Sequence, residues 1–562
     1  MKKAIMLLSV MCVAVSLLLL PSQVAASTVT LRVSQLQGNL TAALRERAAH
    51  LGPADHLVLY FDRAGTFTIE GTVEFACNVE IKGLGVKKTT VVLDNGTDRA
   101  GFKAFFDDTF FKVSASTSQP LAVSIHDISV KLKDHNGIWW DGAEKYAFKL
   151  CNCAPVSIER FNCTLRNAVC TNVDLRACSN VTVRNCTLTN YNNCTTGGVL
   201  WLRGQMHDID ISANTFYKYG NDECVAFFGA DAPVPGDIKR YNIKVADNDF
   251  YYVNRGNGPA DLVNGVFFTY YVGTSTPATV GCASSNVDIS GNRFYMQGLC
   301  HTIMGITFSE RDTHDNVVIA NNYIENSPVA SDQKIRHCDY EVTDLNVARV
   351  PITFSGNTTV NNAAFVAPWG ASGYCHLMVH GGAIVDLGKS SLTDNVATSS
   401  LTTQRLGCRL LSFDNAGGTV NMTGNSFSGL GMLASIDYGD GIDGKVTINA
   451  DSNVFTGDTR IYCRNVKTVD LNFVGNTFNS TTSNFFLQEF AQQGSLVFDG
   501  NMVNTPGNGQ LMTHWDNNDK AARRFNKLQV RNNVFTGVDG ERTLLQPITN
   551  VRSRSVAGNV YR

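Results

Sequence analysis

After its first twenty residues the sequence has no apolar run long enough to cross a bilayer, which excludes further membrane-spanning helices. Charge is scarce: 17% of the residues are charged, the formal net charge is −2, and lysine and arginine form no basic patch. A nucleic-acid partner is therefore not expected. Zinc-type cysteine pairs are also missing, because Cys151-x-Cys153 lacks the C-x-x-C spacing and no second pair follows. What remains is a chain that is 44% hydrophobic, with 48 glycines and 31 phenylalanines, and long enough to bury an extended core.

One short pattern recurs along this chain and is clearest in V-D-I-S-G-N-R-F at Val287–Phe294. Two apolar residues alternate with polar ones, and an asparagine and then an aromatic residue follow. Close copies are Ile209–Phe216, Ile243–Phe250, Val420–Phe427, Leu471–Phe478 and Leu528–Phe535. With looser copies included, the asparagine falls at Asn162, Asn185, Asn214, Asn248, Asn292, Asn322, Asn357, Asn395, Asn425, Asn453, Asn476, Asn501, Asn533 and Asn559.

The pattern predicts a short strand, a sharp bend and a second strand. Alternating apolar residues indicate a strand with one buried face, asparagine tolerates the left-handed backbone of a bend, and the aromatic residue points back inside. Successive asparagines are 23 to 44 residues apart. Such a period indicates a stacked array, here an all-β, right-handed, single-stranded parallel β-helix of about fourteen coils or slightly more. The L-x-x-L-x-L spacing of leucine-rich repeats is absent, and a single strand-turn unit argues against a propeller.

The first 26 residues have the features of an export signal. Lys2 and Lys3 precede an apolar run from Ala4 to Leu20, Pro21 ends it, and small residues precede a cleavage point near Ser27. A membrane anchor is the alternative. We expect an exported protein, secreted, periplasmic or on the cell surface, with no membrane span after cleavage. The Met-Lys-Lys start is bacterial in style.

The mature chain divides into two regions. In 27–56 we expect a strand and then a helix that Asn39 or Thr41 can cap and that Gly52-Pro53 ends. This helix would cover the open end of the β-helix, whose unpaired backbone groups otherwise favour aggregation. Residues 57–562 are predicted to form the β-helix.

Two segments near the start of this region carry a family resemblance. Gly65-Thr66-Phe67-Thr68-Ile69 and the stretch from Val79 through Gly83 and Gly85 to Thr89 resemble the opening coils of pectate-lyase-like (pectin-lyase-like superfamily) right-handed β-helix proteins. With the repeats, the resemblance covers nearly the whole mature chain and implies the fold. The superfamily contains glycoside hydrolases, polysaccharide lyases, phage tailspikes and proteins without known activity. It therefore implies an exported carbohydrate-active protein with a polysaccharide or glycan partner.

Cysteine placement follows the same repeat. Sixteen cysteines are present, and fifteen remain after the leader is removed. Equal positions in successive coils stack about 4.8 Å apart, which places Cys153 over Cys178. Export permits disulfides, but vertical neighbours rarely have disulfide geometry. We expect mostly reduced, buried cysteines.

The longest insertions between repeats lie within 250–395 and would gather on one face of a solenoid, often the binding face. In the enzymes that this chain resembles, the substrate lies in a groove between such loops. The inserted segments contain Tyr270, Tyr271, Tyr340, Trp369 and Tyr374, which either stack on sugar rings or anchor the loops.

One candidate catalytic pair is Asp222-Glu223, in N-D-E-C-V-A. It is similar to the D-D-C-[VI]-A stretch of polygalacturonase-like hydrolases, and glycoside hydrolysis needs one protonated and one ionised carboxyl. The later G-H-G and R-I-K motifs of that family are missing. A turn pair that binds backbone amides is the alternative.

A second candidate set follows from position in the repeat. Arg203, Arg311 and Asp414 each lie eleven residues before an asparagine slot, so we expect them in one column. Elimination from a uronate needs a cation for the carboxylate and a base for the C5 proton. Arg311 with Arg203 could supply the cation, and His301, His337 or Tyr340 the base. The acidic Glu310 stands beside Arg311. Surface salt bridges between coils are the alternative.

Three functional hypotheses remain open from sequence: hydrolysis, elimination, and glycan binding or surface structure without catalysis. No cofactor is certain. Asp437, Asp440 and Asp443 form an oxygen-rich stretch that calcium could use, but their spacing does not match a calcium loop and equally fits a glycine-rich turn.

Overall fold

The computed structural model describes residues 26–94, 109–133, 146–166, 170–191, 198–219, 223–229, 238–253, 266–271, 281–297, 300–327, 337–363, 374–395, 408–413, 416–436, 442–463, 466–488, 493–513, 524–546, 548 and 550–562. In these residues the chain visits three long parallel sheets, A, B and C, in the repeating order A, B, C. Each strand pairs with the equivalent strand of the next coil, as Val181, Ile209 and Ile243 do in sheet A. The fold is a right-handed parallel β-helix, as predicted.

The strands of sheet A are Thr28–Arg32, His56–Tyr60, Asn78–Lys82, Leu121–Leu132, Cys153–Arg166, Ser179–Arg184, Met206–Ser212, Ile238–Ala246, Cys282–Ser290, Thr313–Ala320, Ile352–Ser355, Ile384–Gly388, Gly417–Thr423, Ile442–Asp451, Val466–Val474, Gln493–Asp499, Arg524–Arg531 and Arg554–Ala557. Those of sheet B are Gly65–Glu70, Thr89–Asp94, Thr187–Tyr191, Thr215–Tyr219, Asp249–Val253, Arg293–Met296, Tyr323–Asn326, Thr358–Asn361, Ser391–Asp394, Ser426–Ser435, Val454–Gly457, Thr477–Ser480, Met502–Asn504, Val534–Thr536 and Val560–Tyr561. Leu121–Leu132 and Cys153–Arg166 continue from sheet A into sheet B.

The strands of sheet C are Val73–Phe75, Thr109–Ser114, Tyr146–Cys151, Thr171–Arg176, Leu200–Arg203, Val225–Phe228, Val266–Tyr271, Thr302–Phe308, His337–Asp344, Tyr374–His380, Cys408–Phe413, Ile461–Tyr462, Asn484–Gln488 and Gln510–Thr513. The end of Ser426–Ser435 also belongs to sheet C. A 3-10 helix spans Val33–Gln35, and α-helices span Leu40–Ala48 and Glu541–Leu545.

The helix Leu40–Ala48 lies at the N-terminal end of the solenoid, as predicted. The Asn39 side chain accepts a hydrogen bond from the Ala42 amide and caps the helix. Thr41 accepts one from the Glu70 amide instead, which ties the helix to the first strand of sheet B. Leu44 and Ala48 are buried against that coil. The helix thus covers apolar groups that a further coil would otherwise bury.

A column of buried asparagines marks the corner between sheets A and B. Asn248 is typical: its Oδ1 accepts from the backbone amide and side chain of Asn214, and its Nδ2 donates to the Ile211 carbonyl. The asparagine is not the left-handed residue, contrary to the prediction. That conformation belongs to the residue before it, such as Asp247 with φ of 57°. The bend therefore needs a residue that tolerates positive φ, and the asparagine is selected for stacking its amide.

Three of the predicted asparagine positions are wrong. The register puts Asn162 opposite Thr187, and Thr187 opposite Thr215, so the residue before each of these occupies the column. Phe161 and Cys186 therefore stand where Asn162 and Asn185 were predicted. Ser390 replaces the predicted Asn395, because its amide donates to Asn425 Oδ1 and its hydroxyl accepts from the Asn357 amide.

The interior is a continuous column of apolar side chains. Phe216, Phe250 and Phe294 stack face to face with centroids 4.9 and 4.6 Å apart, so the aromatic position of the repeat does point inward. The cysteines in the described residues are all free, and Cys151 is the least buried of them. Thiols therefore pack here as small apolar groups.

Candidate functional site

Sheet C is the face to which the variable parts of the chain attach. Only two residues separate most strands of sheet A from the following strand of sheet B. The longer segments instead precede strands of sheet C, at 95–108, 134–145, 254–265, 328–336, 364–373 and 396–407, or follow them, at 230–237, 272–280 and 514–523. Chain length between coils therefore varies at the two borders of sheet C.

Three neighbouring strands of sheet C bring a glutamate and two histidines together. Glu341 Oε1 lies 3.0 Å from His380 Nε2, and Glu341 Oε2 lies 3.8 Å from His301 Nδ1. The Thr302 hydroxyl donates to Glu341 Oε2 over 2.5 Å and lies 3.1 Å from His301 Nδ1. The side chains of Glu341 and His301 are 22% and 30% exposed, so solvent reaches this group. We call it the Glu341 cluster.

The hydrogen bonds fix the tautomer of His301. Glu341 as a carboxylate can only accept, so the single hydroxyl hydrogen of Thr302 points to it. Thr302 Oγ1 must then accept from His301, and Nδ1 of that ring carries the hydrogen. In the neutral ring, Nε2 is the proton-accepting nitrogen.

The same contacts keep Glu341 ionised. Burial by itself would raise the pKa of Glu341, but the hydrogen bond and charge of His380, with help from Thr302 and His301, lower it to about 2. At neutral pH the cluster therefore presents a carboxylate held between two imidazoles. This arrangement orients a histidine as a proton acceptor or donor.

A second polar group lies directly behind this surface, inside the solenoid. Asp339 Oδ2 accepts from the Tyr374 hydroxyl at 2.6 Å and lies 2.8 Å from His376 Nδ1. Asp339 Oδ1 accepts from Asn326 at 3.1 Å, and His337 Nε2 lies 3.6 Å away. All five residues are buried. These contacts pair both oxygens of Asp339 and tie the end of a sheet B strand to two strands of sheet C, whereas Asn326 Oδ1 is buried without a hydrogen bond among the described residues.

Three residues predicted to act on substrate belong to this interior. His337, Tyr340 and Tyr374 are at most 2% exposed, so they offer no surface to a glycan. The predicted insertion region 250–395 therefore contains the sheet C strand His337–Asp344, and Tyr270, also predicted to lie in an insertion, is buried near the end of a strand. In and out positions do not alternate strictly around Asp339 and His376, where most residues of both strands are buried. Trp369 lies outside the described residues.

The predicted Arg311 column is not formed. Arg203 pairs with Phe228 of the next strand, and the same register continues to Tyr271 and then to Thr307. Thr307, and not Arg311, is therefore the residue that shares the position of Arg203 three strands further on. Arg311 and Glu310 lie beyond this strand, exposed in the turn Ser309–Asp312. The seven-residue strand Thr302–Phe308 separates them from His301 by roughly 23 Å. Asp414, the third predicted member of the column, is not among the described residues.

Arg203 instead belongs to an ion-pair group near the start of sheet C. Asp174, fully buried, accepts from Arg203 Nε at 3.1 Å and from Arg176 Nε at 2.6 Å. The Arg203 guanidinium lies 4.7 Å from the ring centre of Trp201, and Arg176 lies 5.3 Å from that of Tyr146. Both guanidiniums thus lie over aromatic rings.

Of the predicted carboxylate pair, the structure describes Glu223 but not Asp222. Glu223 is half-buried and lies two residues before the first residue of the sheet C strand Val225–Phe228. Continuing the register from Val225 and Phe268 back by two residues puts Glu223 beside Val266, which pairs with Thr302. Glu223 is therefore two strands, about 10 Å, from the Glu341 cluster.

The residues that sequence reasoning missed are Glu341, His380, Asp174 and Arg176. A usable signal existed for the row of Glu341, which lies two residues before the row of His380, because Cys338 and Cys375 are a repeated register position. Counting three residues onward from each places Glu341 beside Met378. For the ion-pair group, the match of L-R in two successive strands aligns Arg176 with Arg203.

Metal and membrane features were searched in the described part of the chain. There, no three histidine, cysteine, aspartate or glutamate side chains are arranged to hold a metal ion. Asp437 and Asp440 are not described, nor is the side chain of Asp443, so the calcium alternative stays a prediction. None of the described helices is both long and apolar enough to cross a membrane.

No family model matches the sequence, and no curated protein matches it significantly. Solved structures with a similar fold include an exopolygalacturonase of Thermotoga maritima, at 10% identity and a TM-score of 0.40 over 71% of this chain and 91% of that one. A family 28 exopolygalacturonase of Yersinia enterocolitica aligns at 10% identity and a TM-score of 0.35 over 85% and 78%. The tailspike of E. coli bacteriophage HK620, solved with a pentasaccharide, aligns at 10% and 0.35 over 92% and 74%. The described strands themselves form a parallel β-helix, the fold that the sequence resemblance implied.

Proposed function

We propose that the protein is an exported, carbohydrate-active enzyme that binds a polysaccharide on the outer face of sheet C and cleaves it at the Glu341 cluster. The observation that carries the proposal is the solvent-reached carboxylate of Glu341 between His301 and His380. A histidine whose Nδ1 is oriented through Thr302 toward a carboxylate is set up as a general base at Nε2.

The state of Glu341 favours elimination over two-carboxylate hydrolysis at this position. Hydrolysis of that kind needs a protonated carboxyl, usually one with a raised pKa, whereas the pKa of Glu341 is lowered to about 2. In the proposed step, His301 removes the C5 proton of a uronate, and the electron pair of that C–H bond forms a double bond between C4 and C5. The bond from C4 to the glycosidic oxygen breaks, and that oxygen takes a proton from water. His380 holds the same carboxylate from the neighbouring strand, with Nε2 3.0 Å from Glu341 Oε1. Hydrolysis would instead rest on Asp222 and Glu223.

The test is a screen of the mature protein against neutral and acidic polysaccharides, with absorbance near 232 nm and reducing ends recorded together. Elimination raises both signals, and hydrolysis raises reducing ends alone. Glu341→Gln and His301→Ala should each lower the rate by at least about a hundredfold. The matched control is Glu325→Gln, on the outer face of sheet B. Unchanged rates in E341Q would reject the site, and glycan binding without either product would favour the non-catalytic alternative.

Export is tested separately. The expected result is a mature N-terminus near Ser27 in protein recovered outside the cytoplasm, read by mass spectrometry. An intact Met1 in membrane-bound protein would favour the anchor.

A further inference from the structure

The outer face of sheet B changes in character at the strand Thr187–Tyr191. In earlier coils this face carries charged residues such as Glu70 and Asp94. Thirteen strands follow one another from Thr187–Tyr191 to Val560–Tyr561. Among the described residues that point outward from them, between buried ones, three are charged, namely Asp249, Arg293 and Glu325. We call the outward residues of these thirteen strands the sheet B face.

The three charged groups of the sheet B face find partners within one copy of the chain. Arg293 donates to both oxygens of Asp249, from Nε at 2.5 Å and from Nη2 at 2.8 Å. Glu325 accepts from the Tyr323 hydroxyl at 3.0 Å. One arginine against two carboxylates leaves a net charge of −1 on the whole face. A strongly charged partner would gain little here, and two copies could meet with little repulsion.

Aromatic rings cover one half of the sheet B face, and exposed aliphatic side chains cover the other half. Tyr217, Tyr251 and Tyr295 stack in a column with ring centres 4.8 and 5.0 Å apart. In the other half, Val454 is 38% exposed and Met502 is 50% exposed. Tyrosine and methionine are enriched in protein interfaces relative to the rest of the surface. A continuous apolar surface of this kind marks an interaction site.

The order of the strands makes the two halves complementary. Ser391–Asp394 is the seventh of the thirteen strands and therefore lies in the middle of the face. A two-fold axis at this strand, with the copies antiparallel, sets Asp249–Val253 of each copy opposite Met502–Asn504 of the other. Tyr251 of one copy then covers Met502 of the second copy, and sulfur packs favourably against an aromatic ring.

The size of the sheet B face matches that of a stable interface. Thirteen strands about 4.8 Å apart make a face roughly 60 Å long, and strands of about four residues make it roughly 13 Å wide. The product, roughly 800 Å², is the area that a specific interface buries on each partner. Equivalent residues pair from strand to strand along this length, with a register shift between Phe427 and Leu430.

We infer that the sheet B face is the interface of an antiparallel homodimer, in which the tyrosines of each copy pack on the aliphatic half of the other. The inference does not depend on the proposed function. It uses a different face of the solenoid and leaves sheet C, with the Glu341 cluster, free on both copies.

The test is sedimentation velocity of the full mature protein at concentrations up to about 100 µM. The wild type should pass from monomer to dimer as the concentration rises. Met502→Glu should weaken the dimer at least about tenfold, because it buries an unpaired carboxylate opposite Tyr251. The matched control is Val497→Glu, at a half-buried valine on the outer face of sheet A in the same coil, and it should associate like the wild type.

A mixing experiment tests the antiparallel arrangement. Tyr251→Lys alone should also weaken the dimer, whereas an equal mixture of Y251K and M502E should recover association, because the new charges meet across one of the two symmetric contacts. A wild type that stays monomeric would overturn the inference and leave the face to a partner of another kind. A trimer, an M502E protein that associates like V497E, or a mixture that does not recover would also overturn it. Glu341→Gln should dimerise like the wild type, which separates this inference from the proposed function.

Discussion

Tyr374 donates its phenol hydrogen to Asp339 over 2.6 Å, at a point where the two residues are 2% and 0% exposed. The tyrosine comes from one coil and the aspartate from the coil before it. The bond therefore joins successive turns of the solenoid inside its core.

Removal of that hydroxyl should be costly. A hydrogen bond to a buried carboxylate contributes about 2 kcal/mol, and its loss leaves part of a charge unsatisfied. Tyr374→Phe should lower the free energy of unfolding by about that amount in chemical denaturation. Tyr323→Phe is the control, since its hydroxyl donates to Glu325 in a half-exposed pair and should contribute less than about 1 kcal/mol. Equal losses in the two variants would contradict the interpretation.

Acid should weaken the same corner. Burial by itself would raise the pKa of Asp339, but His337 and His376 outweigh it and lower the pKa from 3.8 to about 2. The pKa of Asp339 is lower in the folded protein than in the unfolded chain, so ionised Asp339 stabilises the fold by about 2 kcal/mol. This stabilisation is fully present above the ordinary aspartate pKa of about 4 and is lost as the pH falls from about 4 through 2. Asp339→Asn should therefore be less stable than wild type at neutral pH, and the difference should shrink in that window. Denaturant midpoints against pH test this, with Asp386→Asn on the outer face of sheet A as the control.

The asparagine column should be more sensitive than asparagines at the surface. Asn453 is 1% exposed, and its Oδ1 accepts from the amide and side chain of Asn425 at 2.9 and 2.8 Å. Asn453→Ala leaves both donors buried without a partner and should cost on the order of 3 kcal/mol. Asn449→Ala removes a half-buried amide that bonds Asn421 and Asn472 on sheet A and should cost less than about 1 kcal/mol. Similar thermal shifts in the two variants would mean that the column does not stabilise the fold.

The cysteine thiols should react only slowly in the native protein. Cys151 is half-buried, and the other described cysteines are buried. Burial raises the pKa of Cys163 to about 12 and that of Cys77 to about 11, so few thiolates form. Native protein should react slowly with a thiol reagent, with Cys151 first among these residues in peptide mapping. A reductant should leave the melting temperature unchanged, and a large decrease would reveal disulfides.

How far sequence reasoning reaches is clear from the asparagine repeat. Few residues can replace a buried asparagine whose side-chain amide forms hydrogen bonds with the coils on both sides. The asparagine therefore recurs in the sequence, and its recurrence predicts the stacked coils and the inward aromatic residue. At three coils the column position is held by Phe161, Cys186 or Ser390 and not by an asparagine. There the sequence pattern predicts a position that is wrong by one or a few residues.

The candidate site is different, because no local pattern requires it. His301, Glu341 and His380 lie about forty residues apart, joined by segments of unequal length, and only the register of sheet C makes them neighbours. The same register sends the row of Arg203 to Thr307 and leaves Arg311 in a turn.

The sequence by itself determined the solenoid, its capping helix and its core. Alternating buried side chains and stacked asparagine amides both require a short local pattern that recurs in each coil. The tertiary structure alone decided which polar residues meet. It placed Asp339 inside and Glu341 outside, two residues apart, because the in–out alternation is interrupted at that strand. It also set the guanidiniums of Arg176 and Arg203 on one carboxylate, that of Asp174, a contact that depends on the pairing of two strands and not on either strand alone.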